Sequence, residues 1–329
     1  MNAEQELWTI LRPTKHGTRA CVPVFGSGIN IQAAKIEGRR EDDWSGLLSR
    51  IAEAIGVSEK RIESLPSSNL ARWESMLRLW ARTKNIEPYK AEAQLQKLAC
   101  EHLRTCEQMA AAWQLYGELA GARFLDIISL NFDRRIALSS ERTDFVNAPA
   151  KWREGPQGET LYRHDCISHP EGSCTRVWYP HGDTNKFATL KLGVRKYGFH
   201  LVTLEESRQG FGEEWRVKRG WNYSLGDPFA NSGVATKPLP KWTNVFLTRN
   251  VVFIGCGLSL DEWSLWWIIR TRSLVARRGS QARQPQAFYV GVMTTSEGAL
   301  RSLFKHHGIV TIEFKSYDDL WKAVRLAIS

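Results

Sequence analysis

Four stretches of this chain put small, amide, imidazole or carboxylate side chains directly after an apolar run. They are Val22-Pro-Val-Phe-Gly-Ser-Gly-Ile-Asn30, Ile127-Ile-Ser-Leu-Asn-Phe-Asp133, Val177-Trp-Tyr-Pro-His-Gly-Asp183 and Val251-Val-Phe-Ile-Gly-Cys-Gly-Leu-Ser-Leu-Asp261. In the first, Gly26, Ser27 and Gly28 leave room for backbone amides to approach a phosphate, and Asn30 can hydrogen-bond beside it. In the second, the neutral amide of Asn131 can accept from water while donating to a hydroxyl, with Asp133 to hold the loop. In the third, His181 is suited to general base work because imidazole titrates near working pH. In the fourth, Gly255 and Gly257 open the loop, and Ser259 and Asp261 can bond ribose hydroxyls.

Each stretch also has a purely structural reading. Gly-x-Gly after a strand is often a tight turn. Asn131 can end a strand while Asp133 caps the next helix, and Ser259 or Asp261 can cap a helix starting at Glu262. The chain has eight histidines, and an unassigned one is more often a packing or surface residue.

The elements that must carry these groups follow from the hydrophobic pattern. Residues 21–25, 124–131, 175–179, 251–254, 287–292 and 309–314 read as strands, several of them continuously apolar as buried parallel strands are. Residues 261–278, 297–306 and 317–328 read as helices, with Trp263, Trp266, Trp267 and Ile269 on the buried side of the first. Strands alternating with helices predict an α/β fold, a Rossmann-like parallel sheet flanked by helices. Residues 41–119 are helical nearly throughout, with Leu70, Trp73, Leu77 and Trp80 on one face. They read as a helical insertion between the first and second strands. The whole of 1–329 then forms a single domain whose core strands come from 21–40 and 120–329. The polar stretch 139–176 reads as loop before the strand at 175, and 182–245 as helices and loops over the ligand site.

Composition narrows the class. At 329 residues the chain can bury a substantial core, and no apolar run approaches the roughly 18 residues needed to span a bilayer. The N-terminus starts Met-Asn-Ala-Glu-Gln-Glu and lacks the apolar segment of a signal peptide, so a cytoplasmic location is expected. None of the six cysteines forms a Cys-x-x-Cys pair, and in a reducing compartment they read as free thiols. His164, Cys166, His169 and Cys174 could together meet a metal, but their spacing matches no common zinc module. The net charge of +10 is spread along the chain. Direct nucleic-acid binding is therefore possible but not favoured. Walker, zincin and hydrolase-elbow motifs are absent, and Ile31 stands where a dehydrogenase fingerprint wants its third glycine.

Taken together and in this order, the four stretches resemble the nucleotide-binding domain of the sirtuin-like superfamily, from about Val22 to the C-terminus. The family usually has Gly-Ala-Gly-x-Ser where this chain has Gly26-Ser27-Gly28-Ile29-Asn30. Trp44, Leu47 and Leu48 resemble its next segment. Leu130-Asn-Phe-Asp133 is similar to its Thr-Asn-Tyr-Asp or Gln-Asn-Ile-Asp element, His181-Gly182 to its His-Gly element, and Ile254-Gly255 through Asp261 to its late Ile-Gly loop.

The resemblance implies cleavage of the nicotinamide–ribose bond of NAD. Asn131 would hold the water or a ribose hydroxyl, His181 would serve as base, and the loop from Gly255 to Asp261 would receive the adenosine half. Protein deacylases of the superfamily carry a zinc ribbon of two Cys-x-x-Cys pairs, which this chain lacks. It resembles instead the bacterial sirtuin-like NAD hydrolases of anti-phage defence. The implied activity is hydrolysis of NAD, as substrate and without a metal, to nicotinamide and ADP-ribose. A separate sensor or regulatory subunit, or homo-oligomerisation, would control it. The alternatives are an NAD-dependent protein deacylase and a non-catalytic module that senses NAD or ADP-ribose.

Overall fold

The structure is a computed structural model. It describes residues 2–14, 17–39, 43–58, 61, 64, 68–110, 113–146, 160–217, 241–259, 261–277, 285–293 and 298–329, with the backbone alone at 109, 206–217 and 275–277.

The described strands form one eight-stranded sheet. In chain order they are β1 (Val22–Phe25), β2 (Asp126–Ser129), β3 (Thr143–Val146), β4 (His164–Ser168), β5 (Cys174–Trp178), β6 (Val251–Ile254), β7 (Ala287–Gly291) and β8 (Ile309–Glu313). The spatial order is β3-β4-β5-β2-β1-β6-β7-β8. From β5 to β8 every pairing is parallel, while β3 and β4 add an antiparallel edge. The central strands β1 and β6 are buried at every position. That is why they read as unbroken apolar runs instead of alternating ones. The chain leaves β1 toward β2 and later returns to β1's other side as β6. The sheet therefore reverses its winding at β1, and such a reversal opens a crevice at the carboxyl ends of the strands.

The helices are α1 (Ala3–Leu11), α2 (Gly28–Ile36), α3 (Trp44–Ala54), α4 (Asn69–Lys84), α5 (Pro88–Ala110), α6 (Gln114–Gly121), α7 (Arg135–Leu138), α8 (Val194–Val217), α9 (Trp242–Thr248), α10 (Trp263–Arg277), α11 (Gly298–His306) and α12 (Tyr317–Ile328). One apolar cluster joins α1, α2, α6 and α12 to one face of the sheet. A second joins α8 to α11 to the other face. The α/β architecture with a parallel sheet between helices is thus as expected from the sequence. No described helix is long and apolar enough to cross a membrane.

Of the helices in the expected insertion between β1 and β2, α3 to α5 share a core of their own, while α6 packs on the sheet. That core gathers Leu48, Trp73, Met76, Leu95 and Ala99, and it also takes in Phe132, Leu190 and Leu192 from the sheet side. Polar contacts fasten it there. Gln96 donates to the Leu190 carbonyl at 2.8 Å, and Arg104 to the Thr184 carbonyl at 2.8 Å. Glu107 accepts from the Arg134 amide at 2.7 Å and the Thr184 hydroxyl at 2.6 Å.

Three expectations are corrected. The stretch 139–176 is not loop before the strand at 175, because β3 and β4 lie within it. Its polarity disguised them: β4 buries Asp165, which is satisfied by Arg134 and the Tyr179 hydroxyl. Cys166 and Cys174 are not free thiols but form a disulfide. The antiparallel register of β4 and β5 brings their Cα atoms to 5.9 Å, inside bridging range. Trp263 does not lie on the buried side of α10. It is exposed, and Leu265, Ile268 and Ile269 make that face.

Glu107 yields a stability test. Burial raises its carboxyl from 4.5 to about 7. The folded chain therefore holds a proton there that the unfolded chain releases near 4.5. Its contribution is full below 4.5 and is lost as pH rises through about 7. Glu107→Gln, neutral throughout, should gain thermal stability relative to the unsubstituted protein as pH goes from 5 to 8. A difference in Tm that does not change across that range, followed by circular dichroism, would count against it.

Candidate functional site

The four chemistry-bearing stretches follow the carboxyl ends of β1, β2, β5 and β6, which are neighbours in the sheet. The crevice is built on its glycines. The Gly28 amide donates to the Gly255 carbonyl at 3.0 Å, so the turns after β1 and β6 touch backbone to backbone. A Cβ on Gly28 would lie 2.7 Å from Gly255 Cα, and one on Gly26 would lie 2.7 Å from Gly255 O. Gly255 itself sits at φ +63°, in the left-handed region. Close approach of protein to protein is therefore one reason these glycines are needed. Gly28 also opens α2, whose first amides donate to backbone carbonyls, Gly28 to Gly255, Ile29 to Gly26, and Asn30 and Ile31 to Ser27. Ser27 is half-buried, Gly257 and Ser259 are exposed, and nothing lies within 4 Å of where a Gly257 Cβ would be.

A hydrogen-bond network fixes the amide of Asn131. Its Nδ2 donates to the Gly26 carbonyl at 3.1 Å and to Asn30 Oδ1 at 3.3 Å. Asn30 is buried and itself held three ways. Its Oδ1 also accepts from the Tyr116 hydroxyl at 2.8 Å, and its Nδ2 donates to Asp133 Oδ2 at 2.7 Å. Asp133 in turn accepts from the Arg135 amide and lies 3.8 Å from that guanidinium. With both Nδ2 hydrogens engaged, Oδ1 of Asn131 is the atom left to accept from a water or hydroxyl. Asn131, Asn30 and Asp133 thus come together, with Asp133 buried, bonded to Asn30 and accepting from the Arg135 amide.

His181 is buried, 3% exposed. Its Nδ1 lies 3.0 Å from the carbonyl of Leu130, the residue before Asn131. A carbonyl only accepts, so Nδ1 carries the proton and Nε2 is the basic face. Nε2 lies 3.3 Å from Glu262 Oε2, and the Tyr197 hydroxyl donates to that same oxygen at 3.2 Å. Burial, and next the nearby Lys191 ammonium, push the His181 imidazole down to about 3. Burial pushes the Glu262 carboxyl up to about 7. The turn that carries His181 is strongly specified. Gly182 sits at φ +92°, and a Cβ there would lie 2.2 Å from the Thr189 carbonyl. The fully buried Lys191 donates to the Thr160 hydroxyl and the Pro180 carbonyl, and its own backbone amide donates to the His181 carbonyl. Aromatic rings wall the site. Tyr197 and Phe132 flank His181 at 5.7 and 6.3 Å between centroids, and Trp44 of the insertion stacks on Tyr197.

Asp261 is engaged with the insertion. Its carboxylate accepts from the Ser68 hydroxyl at 2.9 and 3.0 Å and from the Asn69 amide at 3.0 Å, at the N-terminus of α4. Sequence reasoning missed Glu262, Tyr197, Tyr116 and Lys191. Glu262 looked like an ordinary first-turn helix residue, and no spacing links it to His181. Among the described residues no group of three or more His, Cys, Asp or Glu side chains is placed to hold a metal. His164 instead contacts the Tyr162 carbonyl, and His169 contacts the Thr175 hydroxyl.

No protein-family model matches the chain, and no curated protein is significantly similar to it.

The glycine contacts make a clean pair of variants. Gly28→Ala should lose about 2–3 kcal/mol of stability, because its Cβ meets Gly255 backbone that cannot swing aside. Gly257→Ala meets open space and should stay within about 0.5 kcal/mol. Equal denaturant midpoints for the two would refute the proposed contact.

Proposed function

We propose that this protein hydrolyses NAD at the nicotinamide–ribose bond, giving nicotinamide and ADP-ribose. One observation carries the reading. Asn131 and the imidazole of His181 are tied together through the Leu130 carbonyl at the crevice where the sheet reverses its winding. An amide fixed by its donors, with its acceptor left over, suits the holding of a water or ribose hydroxyl. An imidazole and a carboxyl beside it suit the proton transfer. The transition state of glycosidic cleavage resembles an oxocarbenium ion, so orientation of water and stabilisation of positive charge are what the protein must supply. The dinucleotide's phosphates would lie along the loop from Gly255 to Ser259. Its adenosine half would reach Asp261.

The sequence resemblance adds the biological setting: an NAD-depleting effector of bacterial anti-phage defence, acting in the cytoplasm. A separate sensor subunit or self-association would hold it silent until triggered. The reaction uses NAD as substrate and no metal.

The test is release of free nicotinamide. Asn131→Ala should abolish it while circular dichroism and melting temperature remain near those of the unsubstituted protein. His181→Ala should lower the rate about 100- to 10,000-fold and still bind ADP-ribose by calorimetry. Full turnover by folded Asn131→Ala would remove the mechanism. Binding of ADP-ribose with no nicotinamide released by the unsubstituted protein would make it a sensing module instead. Asp261→Ala should weaken ADP-ribose binding by roughly 1.5–3 kcal/mol, the range for a hydrogen bond to a charged group. An unchanged affinity would leave Asp261 with its contact to α4 alone.

A further inference from the structure

The acid–base group that meets the substrate need not be the imidazole. His181 has Nδ1 committed to the Leu130 carbonyl, and its one basic atom, Nε2, is turned toward Glu262 Oε2 at 3.3 Å. When the carboxyl is protonated Oε2 can donate to the bare Nε2, and when it is ionised the donor that holds it is the Tyr197 hydroxyl. Glu262 Oε2 thus lies between the two, and Oε1 makes no hydrogen bond to any described residue. The side chain of Glu262 is 16% exposed against 4% for His181, so the carboxyl is the member of the pair nearer to solvent. Its backbone is equally well placed: the amide donates to the Ser259 carbonyl, and the carbonyl accepts from the Trp266 amide at the start of α10.

Resting on the hydrolase reading above, we propose that Glu262 is the catalytic carboxylate of this site and that His181 is the positioning residue behind it. Water attacks the anomeric carbon of the ribose. The new C–O bond forms as the C–N bond breaks, and its electron pair stays on the nicotinamide nitrogen, which leaves neutral. The proton lost by the water passes to Glu262 Oε1 and then to solvent. Before that transfer the carboxylate also stabilises the positive charge developing on the sugar. The Tyr197 hydroxyl aims the carboxylate through Oε2, and the neutral His181 ring lies behind it.

The groups facing Glu262 agree with an acid–base role near neutrality. His181 approaches from the segment between β5 and α8 and Tyr197 from α8, while Lys191 and His200 lie by His181. Asp261 precedes it in the chain, and Cys256 lies in the loop after β6. Burial, with the negative charge of Asp261, brings the carboxyl to about 7. The carboxylate is the active form, so the hydrolysis rate should rise as pH climbs through that value and level off above it.

The deciding variant is Glu262→Gln, which keeps the shape and, at the position of Oε2, either accepts from Tyr197 or donates to His181 Nε2. It should lower kcat about 100-fold or more with KM changed less than about threefold, and the rise of rate with pH should disappear. Histidine-labelled nitrogen NMR should show His181 as the same neutral Nδ1–H tautomer in both proteins, which establishes that the ring has kept its place. Normal turnover by Glu262→Gln beside an active unsubstituted protein would overturn this assignment and leave the hydrolase reading standing. Failure of the unsubstituted protein to release nicotinamide would overturn both. A His181 signal that becomes cationic near pH 6 in the unsubstituted protein would also overturn the assignment, because the ring would then be the group that titrates.

Discussion

The rest of the site depends on how closely the turns after β1 and β6 approach each other. A hydrogen bond from the Gly28 amide to the Gly255 carbonyl, with no Cβ on either side, joins two strands that are far apart in sequence. It lies where the sheet reverses its winding. Any side chain at Gly26 or Gly28 would force the turns apart and move the Gly26 carbonyl that accepts from Asn131. Helix α2, which starts at Gly28, would move with them.

From that contact the polar network spreads in two directions. One branch runs through Asn30, Asp133, Tyr116 and Arg135, and takes one donor of the Asn131 amide while the Gly26 carbonyl takes the other. The other runs from the Leu130 carbonyl through His181 to Glu262 and Tyr197. Both start from consecutive residues at the end of β2. The buried polar groups are costly unless paired, and pairing across β1, β2, β5 and β6 leaves little freedom at the crevice.

The helical insertion is part of this arrangement. It fills one side of the crevice with Trp44 against Tyr197 and Phe132. Glu107 and Arg104 secure α5 to the segment around Thr184, just past the His181 turn. Asp261, beside Glu262, holds the start of α4. A movement of α4 or α5 would therefore reach His181 and Glu262 through one or two side chains.

The strand and helix order of the C-terminal third, the insertion and the placement of Asn131, His181 and the glycine turns at strand ends were all legible in the sequence. Buried parallel strands are continuously apolar, and the glycines mark where they stop. Strands β3 and β4 were not legible, because β4 buries Asp165 against Arg134 and Tyr179 and so lacks the apolar signature. The disulfide depended on strand register, which composition does not carry. Glu262 is the sharpest case. It follows His181 by some eighty positions, and only the folding of β5 and β6 into one sheet puts its carboxyl against the imidazole. Local pattern determines which residues end a strand, but which strand ends become neighbours, and therefore which side chains meet, is settled by the sheet.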